Sequence, residues 1–240
     1  MSNLKRKYEF INNFRQKMVR VASHDLKSPL STMEGYVNLL LEGYYGEIPT
    51  RLNEILNKIA DKMKDMRELI EDILDVASIE KEGLNRELDI IDPTPIINEL
   101  YKDNKIIAER NKIEISIECP EAIPPVLSNR LRFIQIMQNL ISNALKFTPE
   151  GGTIKLKVIP REVDILFVIS DSGSGIPAED IPYIFEEFYR VGTVKRKVKG
   201  SGLGLYIVKT IIDAQGGKIW VESTVGKGTT FYFTLRKPIL

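Results

Sequence analysis

Segment 130–147 places Arg132, Gln135, Asn139, Asn143 and Lys146 at steps of three and four. With roughly 100° between successive helical residues, these side chains share one narrow stripe. Phe133, Ile134, Ile136, Met137, Leu140, Ile141, Ala144 and Leu145 fill most of the remaining circumference. A helix of that kind is buried, and its amides then need partners. An Asn carbonyl is a hard oxygen ligand suited to Mg²⁺, and a Lys ammonium suits a phosphate. The same amides would be equally served by neighbouring backbone, and the helix alone leaves both readings open.

Two glycine-rich loops bear on that choice. Asp171-Ser172-Gly173-Ser174-Gly175-Ile176-Pro177 follows a strand-like run, and Gly200-Ser201-Gly202-Leu203-Gly204-Leu205 opens a helix. Glycines let backbone approach a ligand closely, and N–H groups at a helix start attract anions. Asp171, at a strand end, is placed to accept a hydrogen bond from the amino group of a base, although Asp is also a common turn residue. No G-x-x-x-x-G-K-[ST] run is present, and the second loop lacks the final glycine of G-x-G-x-x-G. P-loop, Rossmann and Ser/Thr/Tyr kinase readings therefore fail.

The elements that must position these residues change character along the chain. Residues 8–82 read as helix. From Leu52, apolar residues recur in steps of four and three through Leu56, Ile59, Met63, Met66, Ile70, Ile73 and Ala77, a heptad seam. Leu30, Met33, Val37 and Leu40 form a similar seam before a break at Gly43, Gly46 and Pro49. One hairpin leaves most of such a seam wet, so a homodimer with a four-helix bundle is expected. Glu82-Gly83-Leu84-Asn85 and Asp92-Pro93 mark a linker. Beyond it, helices 94–111, 130–147 and 203–215 alternate with strands 113–118, 153–159, 164–170, 217–222 and 229–235. Hairpins 153–170 and 217–235 predict a mixed sheet. The expected class is α+β: a dimerisation domain over 1–86, then an α/β-sandwich domain over 87–240.

Composition narrows the setting. Thirty-four basic residues against 33 acidic give a formal net charge of +1, which offers no case for nucleic acid. No apolar run approaches the roughly 18 residues of a membrane span, and the N-terminus has no signal-peptide core. The single cysteine, Cys119, suits a reducing cytoplasm.

In order and across nearly the whole chain, these pieces resemble the sensor histidine kinases of two-component systems. Ser23-His24-Asp25-Leu26-Lys27-Ser28-Pro29-Leu30 is similar to the family's H box, and residues 139–148 to its N box. Asp171 to Gly175 resembles the G1 box, Phe185-Glu186-Glu187-Phe188-Tyr189-Arg190 the F box, and Gly200 to Gly204 the G2 box. Gly216 to Ser223 is similar to the closing hairpin. The resemblance implies a HisKA-type dimeric phosphoacceptor domain and a GHKL ATP-binding domain. It implies ATP and Mg²⁺ as cofactors, and transfer from ATP to histidine and on to the receiver domain of a response regulator. Carried over by position, Asn143 would hold Mg²⁺, with Asn139 and Lys146 near the phosphates. Asp171 would take the adenine amino group, and Phe147 would pack by the base. Gly173, Gly175, Gly200, Ser201, Gly202, Leu203 and Gly204 would line the nucleotide, with 172–199 as its lid.

His24 is the only histidine, so any phosphohistidine must form there. A neutral imidazole nitrogen attacks phosphorus, and Asp25 could take the proton from the other ring nitrogen. Ser28 lies at i+4 on the same face, and Arg190 is a candidate for holding the γ-phosphate. Pro29 removes an N–H and is expected to kink the helix. Asp25 stands where many members have Glu, and Asn129 where Asp is common. Ser28 stands where Thr or Asn accompanies phosphatase activity, which makes dephosphorylation of the regulator the weakest expectation.

Overall fold

The computed structural model describes residues 25–82, 88–192 and 200–238. His24, helix 8–24, the linker glycine and the basic run 195–199 lie outside the described residues. The chain divides into two units: one runs up to Glu82 and includes Gly200 and Ser201, and the other comprises the remainder.

The first unit is a hairpin of α1 (25–41) and α2 (Thr50–Glu82). α1 continues through Pro29. It ends where Gly43 adopts φ +76° and the Tyr44 N–H reaches back to the Leu39 carbonyl over 3.0 Å. That left-handed turn favours glycine. α2 starts where the Pro49 carbonyl accepts from the Leu52 and Asn53 N–H groups. Its seam splits into two rows. Leu56, Met63 and Ile70 are buried, the last two packed with Leu30, Val37 and Leu74. Leu52, Ile59 and Met66 stay exposed, at 43%, 42% and 50%. An Arg67–Glu34 ion pair and Lys27–Glu71 at 3.4 Å bridge the two helices.

The second unit runs β1 (Asp89–Ile91), α3 (Pro93–Arg110), β2 (Glu114–Glu118), β3 (Val126–Ser128) and α4 (Arg130–Phe147). It continues with β4 (Thr153–Pro160), β5 (Asp164–Asp171), α5 (Gly204–Ala214), β6 (Lys218–Thr224) and β7 (Gly228–Arg236). A five-stranded sheet has the order β2-β4-β5-β7-β6. The two hairpins give antiparallel pairs, and the parallel β2–β4 pair makes the sheet mixed. β1 and β3 form a separate antiparallel pair.

Alternation decides which sheet face is covered. In β4, Ile154, Leu156 and Val158 are buried while Thr153, Lys155 and Lys157 are exposed. In the core Phe167 of β5 stacks on Phe233 of β7, with centroids 4.7 Å apart, and Phe133 of α4 meets Phe167 at a tilt, 5.3 Å away. Burying one such ring contributes roughly 1.5–3 kcal/mol. Asn129 caps α4 by accepting from the Arg132 N–H at 3.2 Å, and Asp92 does the same for α3 with Thr94. Either Asn or Asp performs that task, which accommodates Asn129.

Candidate nucleotide site

Asp171 stands at the C-terminal end of β5, the central strand of the sheet. Its Oδ1 accepts the Gly173 N–H at 2.8 Å and the Thr229 N–H at 3.3 Å. Both donors reach the same oxygen, leaving Oδ2 without a donor among the described residues. Burial holds the Asp171 carboxyl above its ordinary range, against the lowering effect of those two N–H groups.

The loop that follows folds onto the end of α4. A Cβ on Gly173 would lie 2.6 Å from the Phe147 carbonyl oxygen and 2.7 Å from Asp171 Oδ1. Only glycine fits between them. The Ser174 N–H also points to the Phe147 carbonyl at 3.3 Å. Asp171, Gly173 and Phe147 are thus gathered at one place.

Along α4 the polar stripe runs from this place towards α5. Arg132 donates to the Gln135 side chain at 2.9 Å, and Asn139 Nδ2 donates to the Gln135 carbonyl at 3.0 Å. The backbone-tying reading therefore holds for one amide group of Asn139. Its Oδ1 turns the other way, to within 2.7 Å of where a Cβ on Gly204 would stand. Asn143 is half-buried and Lys146 exposed, between Asn139 and Phe147. α5 begins at Gly204, preceded by Leu203, without a side-chain cap. Its first N–H groups have no partner within the helix, and its first residue, Gly204, lies against Asn139 of the stripe.

Gly200 has φ +158° and Gly202 φ +80°. A Cβ on Gly202 would lie 2.8 Å from the Phe188 carbonyl carbon, and Phe188 itself adopts φ +59°. That conformation is costly for an aromatic residue, so the backbone of 188 is held against Gly202 under strain. Beside it, the Tyr189 hydroxyl donates to Asp180, which pushes its pKa up to about 12. Arg190 is half-buried and engaged with neighbours.

Asp25 and Ser28 lie on α1 in the hairpin unit, both exposed. Gly175, with φ +70°, packs away from α4, against the turn between β6 and β7. Thr229 and that turn were not singled out from sequence. The register Asp171↔Thr229 that makes them neighbours needs the sheet order to be known.

Residues 14–82 match the family model of the His Kinase A (phospho-acceptor) domain. Residues 128–239 match the histidine kinase-, DNA gyrase B- and HSP90-like ATPase. The sensor histidine kinase WalK of Bacillus subtilis is 33% identical over 233 residues, 95% of this chain and 37% of its own length. Sensor protein SrrB of Staphylococcus aureus is 30% identical over 95% of this chain and 39% of its own length. The chain thus spans less than two fifths of these relatives. Among solved structures, the catalytic domain of histidine kinase ThkA aligns with 63% of this chain at TM-score 0.56 and 31% identity, covering 97% of its own chain. Full-length ShkA, in complex with AMPPNP, shares the fold over 93% of this chain and 47% of its own, at TM-score 0.75 and 24% identity. The chain belongs to the sensor histidine kinases of two-component systems.

Proposed function

We propose that this chain is an ATP-dependent kinase that phosphorylates His24 and passes the phosphoryl group to an aspartate on the receiver domain of a response regulator. The observation carrying the reading is the gathering of Asp171, Gly173, Phe147 and the Asn139 stripe along α4. In that reading Asp171 Oδ2 accepts from the adenine amino group. Phe147 flanks the base, while Asn139, Lys146 and the uncapped start of α5 hold phosphate oxygens. Gly175 shapes the base loop, and Gly200, Ser201, Gly202 and Leu203 bring backbone to the phosphates.

No group of three His, Cys, Asp or Glu side chains that could hold a metal ion is found among the described residues. Mg²⁺ does not need one, because it keeps phosphate and water oxygens and few protein ligands. The Asn143 carbonyl fits that demand. When bound, Mg²⁺ neutralises developing phosphate charge. At His24 one ring nitrogen forms the N–P bond as the bond to the ADP oxygen breaks. Asp25 takes the proton from the other nitrogen, Ser28 flanks the ring one turn on, and Arg190 steadies the γ-phosphate.

The exposed row Leu52, Ile59 and Met66 supports pairing of two hairpins into a homodimeric four-helix bundle. No helix among the described residues is long and apolar enough to cross a membrane. Need for ATP and a lone cysteine support a cytoplasmic location. The test is incubation with γ-labelled ATP and Mg²⁺. Acid-labile label is expected on the parent chain and not on His24→Ala or Asn143→Ala. An unlabelled parent that still binds ATP would overturn the kinase reading.

A further inference from the structure

Ser223, near the end of β6, ties together the two segments that hold Asp171. Its Oγ accepts the Ile176 N–H at 2.8 Å, from the far end of the loop after β5. It also lies 2.9 Å from the Gly228 carbonyl and 3.0 Å from Thr229 Oγ1. A serine hydroxyl has one proton. Donated to the Gly228 carbonyl, that proton leaves Thr229 as donor in the hydroxyl pair. One side chain then orders three groups.

The registers Asp171↔Thr229 and Ser223↔Thr229 put Asp171, Thr229 and Ser223 in one row across β5, β7 and β6. Loop and turn interlock around that row. The Gly226 N–H donates to the Ser174 carbonyl at 2.8 Å. A Cβ on Gly175 would stand 2.2 Å from the Thr224 carbonyl oxygen, and one on Gly228 1.9 Å from the Asp171 carbonyl oxygen. The two N–H groups that grip Asp171 Oδ1 come from Gly173, in the loop, and Thr229, beside the turn. Ser223 hydrogen-bonds to both of these segments.

We infer that Ser223 is a positioning residue for base selection: by clipping loop 172–176 to the β6–β7 turn, it fixes the Asp171 oxygen that meets the base amino group. The inference rests on the nucleotide-site reading above. A carboxylate held in one orientation accepts from the 6-amino group of adenine and repels the 6-carbonyl oxygen of hypoxanthine. The ratio of ADP to IDP affinity therefore reads the placement of Asp171, which a general loss of packing would not change.

Calorimetric titration of the full chain with ADP and with IDP tests this, alongside Ser223→Ala and Ser223→Thr. The parent is expected to bind ADP more tightly than IDP. Ser223→Ala is expected to lose roughly threefold to tenfold in ADP affinity, the size of one or two net hydrogen bonds. IDP binding should change little, and Ser223→Thr, which keeps the oxygen, should restore the ratio. Equal weakening of both nucleotides, or an unchanged ratio in Ser223→Ala, would overturn the inference while leaving the nucleotide site standing. A parent chain that binds neither nucleotide would remove the site reading itself. If the alanine variant does not fold, Ser223→Cys, of similar size but a weak acceptor, replaces it with the same two outcomes.

Discussion

Asp171 is poorly placed for stability and, in the proposed site, well placed for recognition. Its carboxyl is held above the ordinary 3.8 because burial penalises the charge. A raised folded-state pKa means that folding favours the protonated form. The associated stabilisation is full below 3.8 and is lost as pH rises through the raised value. Near neutral pH, Asp171→Asn should therefore melt no lower than the parent when empty, yet lose at least about tenfold in ADP affinity in calorimetry. In the parent, ADP affinity should fall as pH drops through the raised value, with onset above the usual carboxylate range. A lower empty melting temperature for Asp171→Asn would contradict this account. Gly204 makes the second residue-scale case. A Cβ there would lie 2.7 Å from Asn139 Oδ1, so Gly204→Ala should displace that side chain. ADP affinity should fall about tenfold, and Asn139→Ala added to Gly204→Ala should cost little more, the non-additivity of a shared contact. The asparagines were visible in sequence because polar amides at i and i+4 are conspicuous in an apolar helix. Ser223 was not, since its partners lie on two other segments and only strand register unites them.

Among the elements, legibility followed length. α3, α4 and α5, and every strand of the five-stranded sheet, appear within two residues of where periodicity and turn residues put them. β1 and β3 were missed because three residues each carry too little alternation to register. The helix seam was visible as a whole but not its division. Both heptad rows are apolar, and nothing local says that Leu56, Met63 and Ile70 turn inward while Leu52, Ile59 and Met66 do not. Inward residues should carry hairpin stability. Leu30 is 2% exposed, packed in the cluster with Met63 and Ile70. Leu30→Ala should cost about 2–5 kcal/mol of unfolding free energy by urea denaturation. Met66→Ala, on the outward row, should cost much less in a dilute sample where subunits separate. Equal costs would mean that the rows are assigned wrongly.

For the molecule as a whole, the two rows separate what one chain supplies from what a pair of chains supplies. Asn139, Asn143, Phe147 and Asp171 all lie in the α/β unit. What these four side chains contribute to nucleotide binding should therefore not depend on the state of the hairpin. The outward row is apolar over several turns of α2. Ile59→Glu combined with Met66→Glu would desolvate two carboxylates in any hairpin–hairpin interface, a cost of several kcal/mol if they were buried there unpaired. Light scattering should give twice the mass of 27.3 kDa for the parent and the single mass for the double variant. ADP affinity should stay within about twofold of the parent, since Asn139, Asn143, Phe147 and Asp171 belong to the other unit and share no contact with positions 59 and 66 among the described residues. Labelling of His24 tells more than mass. If each His24 is served within its own chain, the monomeric variant keeps its label. If the phosphoryl group passes between chains, label falls with the dimer while ADP still binds. A double variant that remains a dimer would show that the exposed row of α2 is not the surface through which two chains meet.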